Sequence, residues 1–229
     1  MSHDVAANLA SVRERIERAG RNPDDVDIVA VTKGFGPEVC LEALRAGLRI
    51  LGENRVQEAI PKMQVVKNGT WHLIGHLQTN KVAAAVHHFD MIQTVDSLRL
   101  AEAIARLEPE MPVLVEVNVA REPQRSGVDP DQAPELIERV GRLVALQGLM
   151  AIGPADRDPY PAFKEMRHLR DDAQERLGKR LPILSMGMSG DFEVAVRAGS
   201  TMVRLGEVLF GPRPPHSWGG GPEGRRGQG

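Results

Sequence analysis

The residue with the most chemical potential in this sequence is Lys33. It follows Ile28-Val29-Ala30-Val31, an apolar run of the kind buried on both faces of a parallel strand. A lysine just past such a run has two fates. It extends to solvent, or it is held in a partly desolvated mouth, where it can lose its proton and attack an aldehyde. A second group stands far downstream. Gly187, Ser189, Gly190 and Gly206 follow two further apolar runs. Glycines there let an anion approach backbone amides, and Ser189 either caps a helix starting at that point or donates to the anion. Arg204 ends Thr201-Met202-Val203. A guanidinium in that place needs an acceptor, because a buried unpaired charge is costly. An internal carboxylate or a ligand's ring nitrogen would serve. Asn54, in Gly52-Glu53-Asn54, completes the set. His72 and His76 are four apart, but only in a helix does that spacing put two ligands on one face. Here a strand is expected at His72 and a loop at His76, so zinc is not expected.

These residues need elements that bring them together. Short runs rich in Val, Ile and Leu at 27–31, 49–51, 71–74, 91–94, 113–118, 146–152, 183–185 and 201–204 read as strands. Helical patterns lie at 37–46, 53–66, 79–86, 97–107, 131–143, 160–177 and 189–198, with one more at 5–19 ahead of the first strand. Strand–helix alternation predicts parallel strands with right-handed crossovers. Eight such units predict a closed (β/α)8 TIM barrel. An open nucleotide-binding sheet would show a glycine-rich turn after its first strand, and neither G-x-G-x-x-G nor a Walker A sequence is present. In such barrels the active groups sit on the loops after the strands. Lys33, Asn54, Ser189, Arg204 and Gly206 all fall there, after strands one, two, seven and eight.

Bulk properties narrow the function classes. The chain has 229 residues, with 29 Lys+Arg against 31 Asp+Glu for a net charge of −2. No extended basic field is available, so nucleic acid and anionic membranes are not expected partners. No window approaches a membrane span. One cysteine, Cys40, excludes an internal disulfide or a cysteine zinc site, and it reads as a small buried apolar residue. The first ten residues lack a basic region followed by an apolar run, so a reducing cytoplasm is the expected compartment. Residues 1–213 read as one barrel domain. Residues 214–229, dense in Pro and Gly with Trp218, read as a disordered tail.

Longer motifs now carry a resemblance. Ala30-Val31-Thr32-Lys33, Gly52-Glu53-Asn54-Arg55-Val56-Gln57-Glu58 and Trp71-His72-Leu73-Ile74-Gly75-His76-Leu77-Gln78-Thr79-Asn80-Lys81 occur in order. They are followed by Gly148-Leu149-Met150-Ala151-Ile152, Ser185-Met186-Gly187-Met188-Ser189 and Gly199-Ser200-Thr201-Met202-Val203-Arg204-Leu205-Gly206. Across about residues 5–213 the chain resembles the pyridoxal phosphate homeostasis proteins, whose barrel is like the N-terminal domain of alanine racemase. The resemblance implies pyridoxal 5′-phosphate (PLP) as cofactor, held as a Schiff base on Lys33. It places Asn54 beside the cofactor, Ser189 and the amides around Gly206 at its phosphate, and Arg204 at the pyridine nitrogen. The sequence departs from the pattern at Gly34-Phe35-Gly36-Pro37, at Arg55, at Arg125 where a lysine is common, and at Glu207, whose side chain is expected to point away from the phosphate.

Three functions follow as expectations. The favoured one is a non-catalytic, monomeric carrier that stores and delivers PLP, with PLP-dependent apoenzymes as recipients. The alternative is a PLP-dependent racemase or related enzyme. Two-base racemisation needs a second acid/base group opposite the lysine. Racemases take it from a separate C-terminal domain, and this sequence stops just past strand eight, with Tyr160 its only tyrosine. A plain partner-binding barrel without cofactor is the third.

Overall fold

The computed structural model describes residues 4–213. Eight parallel strands close into one barrel in chain order. They are β1 (Asp27–Val31), β2 (Ile50–Glu53), β3 (Thr70–Leu73), β4 (Met91–Val95), β5 (Pro112–Val117), β6 (Ala145–Ala151), β7 (Ile183–Ser185) and β8 (Met202–Leu205). Helices α1 (Val5–Arg18), α2 (Pro37–Arg45), α3 (Val56–Val65), α4 (Val82–His88), α5 (Leu98–Ala105), α6 (Ala133–Leu143), α7 (Tyr160–Leu177) and α8 (Phe192–Arg197) surround it, and a short α9 (Glu207–Phe210) follows β8. The ring closes where β8 pairs with β1, for example Val203 beside Ile28 and Arg204 beside Val29. The expected (β/α)8 barrel is therefore what the chain forms. The tail expected at 214–229 lies outside the described residues. Among those described, no helix is long and apolar enough to cross a membrane.

Alternation along each strand separates two layers, since successive side chains point to opposite faces. On β5, Val113, Val115 and Val117 join the main core between sheet and helices, while Leu114 joins a separate cluster with Met91 and Met150. That second cluster lies in the lumen, which barrel side chains pack in layers. The same parity sends Ile28, Ala30, Leu51, Leu184, Val203 and Leu205 outward to the helices. It turns Arg204, Ser185 and His72 inward. Extended by one residue past the strands, it sends Thr32 toward the helices and Lys33 toward the barrel mouth.

Most boundaries shift by a few residues, and two of the shifts bear on the site. The second strand runs on to Glu53, so that carboxylate belongs to the sheet and not to the following helix. The eighth helix starts at Phe192 instead of Ser189. The backbone turns first: the amides of Asp191 and Phe192 both donate to the Met188 carbonyl, and Gly187 adopts φ +99°. A Cβ at Gly187 would also lie 2.7 Å from the Cβ of Ala195. This glycine lets the loop after β7 pass over α8.

Candidate functional site

The five residues singled out by the sequence, Lys33, Asn54, Ser189, Arg204 and Gly206, all line one cleft at the C-terminal face of the barrel. Its volume is about 530 Å³, within the range of small-molecule sites. Val31, Ile74 and Ile152 form an apolar floor, and Phe35, which packs edge-on against Phe210 with ring centroids 5.7 Å apart, forms a side.

Lys33 is half-buried and makes no hydrogen bond or ion pair among the described residues. Burial lowers its pKa first, helped by the positive charges of Arg213 and Arg204, against the opposing field of Glu53. An amine poised in this way is a nucleophile toward a carbonyl. Across the cleft, the backbone N–H groups of Ser189, Gly190, Gly206 and Glu207 have no hydrogen-bond partner among the described residues. A Cβ added at Gly190 would meet nothing within 4 Å, so an anion can reach this backbone. Ser189 does not cap α8. Its Oγ instead accepts from the Val208 amide at 3.3 Å, which ties the loop after β7 to α9 and brings the two glycine-containing loops together. Glu207 is exposed.

Arg204 is buried and makes no salt bridge among the described residues. Its Nη1 donates to the Ser185 carbonyl and hydroxyl, both at 2.8 Å, and its Nη2 to the Ala151 carbonyl at 2.8 Å. The Nε–H and the second N–H of Nη2 are the donors left over. Burial pushes the guanidinium down to about 10, which still leaves it charged at neutral pH. Neither simple reading of Arg204 is complete: neutral acceptors hold its fork, and two N–H donors remain on a residue that lines the cleft.

The sequence reading missed what stands behind these residues. From Arg204 a directional chain crosses the lumen. The Ser185 hydroxyl donates to Gln93 Oε1 at 2.7 Å, and Gln93 Nε2 meets His72 Nδ1 at 2.8 Å. With its oxygen engaged by Ser185, Gln93 donates through nitrogen, so His72 Nδ1 accepts and the ring is neutral. Burial holds the pKa of His72 down to about 4, from 6.5 when free. The sign of the linkage follows. Below pH 6.5 the unfolded chain takes up a proton that the folded chain refuses, so stability is lost as pH falls from 6.5 toward 4. His72→Gln is expected to remove that loss, worth up to about 3 kcal/mol. Urea unfolding of both proteins at pH 7 and pH 4.5 measures it; parallel falls in stability refute it.

A second set lies between sheet and helices. Lys62 Nζ donates to Glu53 Oε1 at 2.6 Å and to the Thr32 carbonyl at 2.9 Å, and Thr32 Oγ1 donates to Glu53 Oε1 at 2.6 Å. Glu53 and Lys62 are both fully buried. One signal for Lys62 was available: in α3 it shares the buried stripe of Val56 and Ala59 at spacings of three, where a surface lysine does not belong. Cys40, beside this set, is buried as expected, and burial raises its thiol to about 11. Tyr160 starts α7 and lines a different surface cleft with Ala19 and Arg197.

The fold and the cleft define a barrel with an amine, a set of open backbone amides and a buried guanidinium at one rim. The family model for the alanine racemase N-terminal domain matches residues 3–214. A pyridoxal phosphate homeostasis protein of Aquifex aeolicus is 41% identical over 225 residues, spanning 92% of this chain and 99% of the relative. Its counterpart in Escherichia coli K12 is 39% identical over 229 residues. The solved structure of PipY from Synechococcus elongatus, described without and with PLP bound, superposes with TM-scores of 0.82 and 0.79 at 36% identity, covering 90% of this chain and all of PipY. Alanine racemase of Corynebacterium glutamicum shares the fold at 16% identity and a TM-score of 0.71, matched over 59% of its length. The chain belongs to the pyridoxal phosphate homeostasis protein family.

Proposed function

We propose that this protein binds PLP as a Schiff base on Lys33 and acts as a carrier that stores the cofactor and releases it to PLP-dependent apoenzymes. The observation that carries the reading is the pairing, across one cleft, of a half-buried lysine with four backbone amides, all without a hydrogen-bond partner among the described residues. PLP has an aldehyde for the first and a phosphate for the second, and an aromatic ring to set against the apolar floor. In this reading one of the unused N–H groups of Arg204 donates to the pyridine nitrogen. Arginine does not give up its proton, so that nitrogen stays unprotonated and the ring is a weak electron sink. PLP, when bound, supplies electron withdrawal from the carbon attached to its imine. The protein supplies the amine, the anion grip and a dry floor.

A carrier role agrees with the names of the relatives and with Tyr160 lining a cleft other than the one that holds Lys33. The cytoplasm and a monomeric state belong to this same reading. The decisive experiment is mass spectrometry of protein mixed with PLP and reduced with borohydride, with L-amino acids assayed in parallel for the D-enantiomer. The expected result is one reduced adduct on Lys33 and no D-enantiomer above the Lys33-variant background. A label on another lysine overturns the site, and clear racemisation overturns the carrier reading.

A further inference from the structure

We propose that the buried trio Thr32, Glu53 and Lys62 is a positioning device for Lys33, fixing the backbone that carries the amine so that it meets the aldehyde already aimed at the cleft. The inference rests on the reading of Lys33 as the cofactor lysine.

The hydrogen bonds of the residue before Lys33 carry the argument. Every polar group of Thr32 is engaged. Its amide donates to the Gly52 carbonyl at 3.0 Å, and its hydroxyl to Glu53. Its carbonyl accepts both from Lys62 Nζ and from the Phe35 amide at 3.1 Å. That carbonyl belongs to the peptide unit joining Thr32 to Lys33, which is therefore held from two sides. Lys33, one residue on, makes no hydrogen bond among the described residues. A clamped base under an unclamped tip is the geometry a reactive side chain needs, since misplacement by about 1 Å can cost on the order of a hundredfold in rate.

Stability does not account for the trio. Withdrawing two charges from water costs several kcal/mol for each ion, and apolar replacements of similar volume are often as stable or more so. The surrounding residues show that such a solution fits, because the layer is otherwise an apolar core that includes Ala30, Leu51, Val56 and Ala59. What apolar side chains cannot supply is a donor for the Thr32 carbonyl and an acceptor for its hydroxyl. Glu53 also acts on Lys33 through space. It is the carboxylate that raises the affinity of Lys33 for its proton, against burial and the charges of Arg213 and Arg204.

The test is the double variant E53M/K62M, which removes both charges at nearly constant volume. Three measurements are made beside wild type: the rate of the borohydride-trapped PLP adduct as a function of pH, the thermal midpoint, and the Kd of pyridoxine 5′-phosphate. That last ligand keeps the ring and the phosphate and lacks the aldehyde. Adduct formation is expected to slow by roughly tenfold or more, because the amine is no longer aimed. The Kd of the aldehyde-free ligand is expected to stay within about twofold, since the anion cradle lies on other loops. An adduct rate equal to wild type overturns the inference. So does a parallel loss of both kinds of binding, which would make the trio plain scaffolding. If wild type itself forms no adduct on Lys33, the parent reading fails instead. Should the double variant not fold, T32V carries the test: it deletes one bond of the trio, and an adduct rate slowed by about threefold with unchanged binding of the aldehyde-free ligand is expected.

Discussion

Lys33→Ala is expected to abolish the visible absorbance of the PLP-loaded protein and the adduct trapped by borohydride, while pyridoxine 5′-phosphate still binds within about twofold of wild type. The two halves of this result come from different parts of the cleft. The amine belongs to the loop after β1. The proposed anion grip is the backbone of Ser189, Gly190, Gly206 and Glu207, which follow β7 and β8 and line the same cleft, and truncating a side chain on the far rim does not touch those amides. Lys33→Arg gives the same spectral loss, because a guanidinium stays protonated and does not condense with an aldehyde. An absorbance titration and a calorimetric titration separate the halves. A visible band that survives in Lys33→Ala would place the Schiff base on another lysine.

Arg204→Met is expected to lower the unfolding free energy by about 3 kcal/mol, because the carbonyls of Ser185 and Ala151 lose their donor inside the barrel. Methionine approximates the length of the aliphatic stem, so the cost arises from orphaned acceptors and not from a cavity. Arg204→Lys is expected to recover only part of it, because one ammonium does not reproduce a planar fork that reaches two strands. Urea midpoints at an unchanged m-value report the difference. A midpoint for Arg204→Met equal to wild type would show that this guanidinium does not brace the lumen.

The fold was legible because its signals are local. Each of the eight apolar runs lies within a few residues of an observed strand, and the rule that barrel chemistry sits after the strands led to all five residues around the cleft. What stayed hidden depends on partners remote in sequence. Glu53 reads as the acidic start of a helix until its strand is seen to extend to it. Gln93 and Ser185 look like incidental polar residues in apolar strands, and only a closed ring brings them within 2.7 Å of each other across 92 positions. Ser189 reads as a helix cap because serine before an amphipathic run usually is one. The turn at Met188–Asp191 displaces the helix, and that turn leaves little trace in residue type.

The ring closure of β8 onto β1 has a consequence for when the cofactor can be captured. On the proposed reading the condensing amine lies just past the first strand and the anion-binding amides just past the last two, and these meet only once the circle is shut. Asn8 of α1 donates to the Leu209 carbonyl of α9 at 2.9 Å, so the opening helix also buttresses the closing one. A nascent chain still on the ribosome thus holds a lysine without a cradle. On the proposed reading loading belongs to the completed molecule, and a chain interrupted before β8 leaves the reactive aldehyde free in the cell.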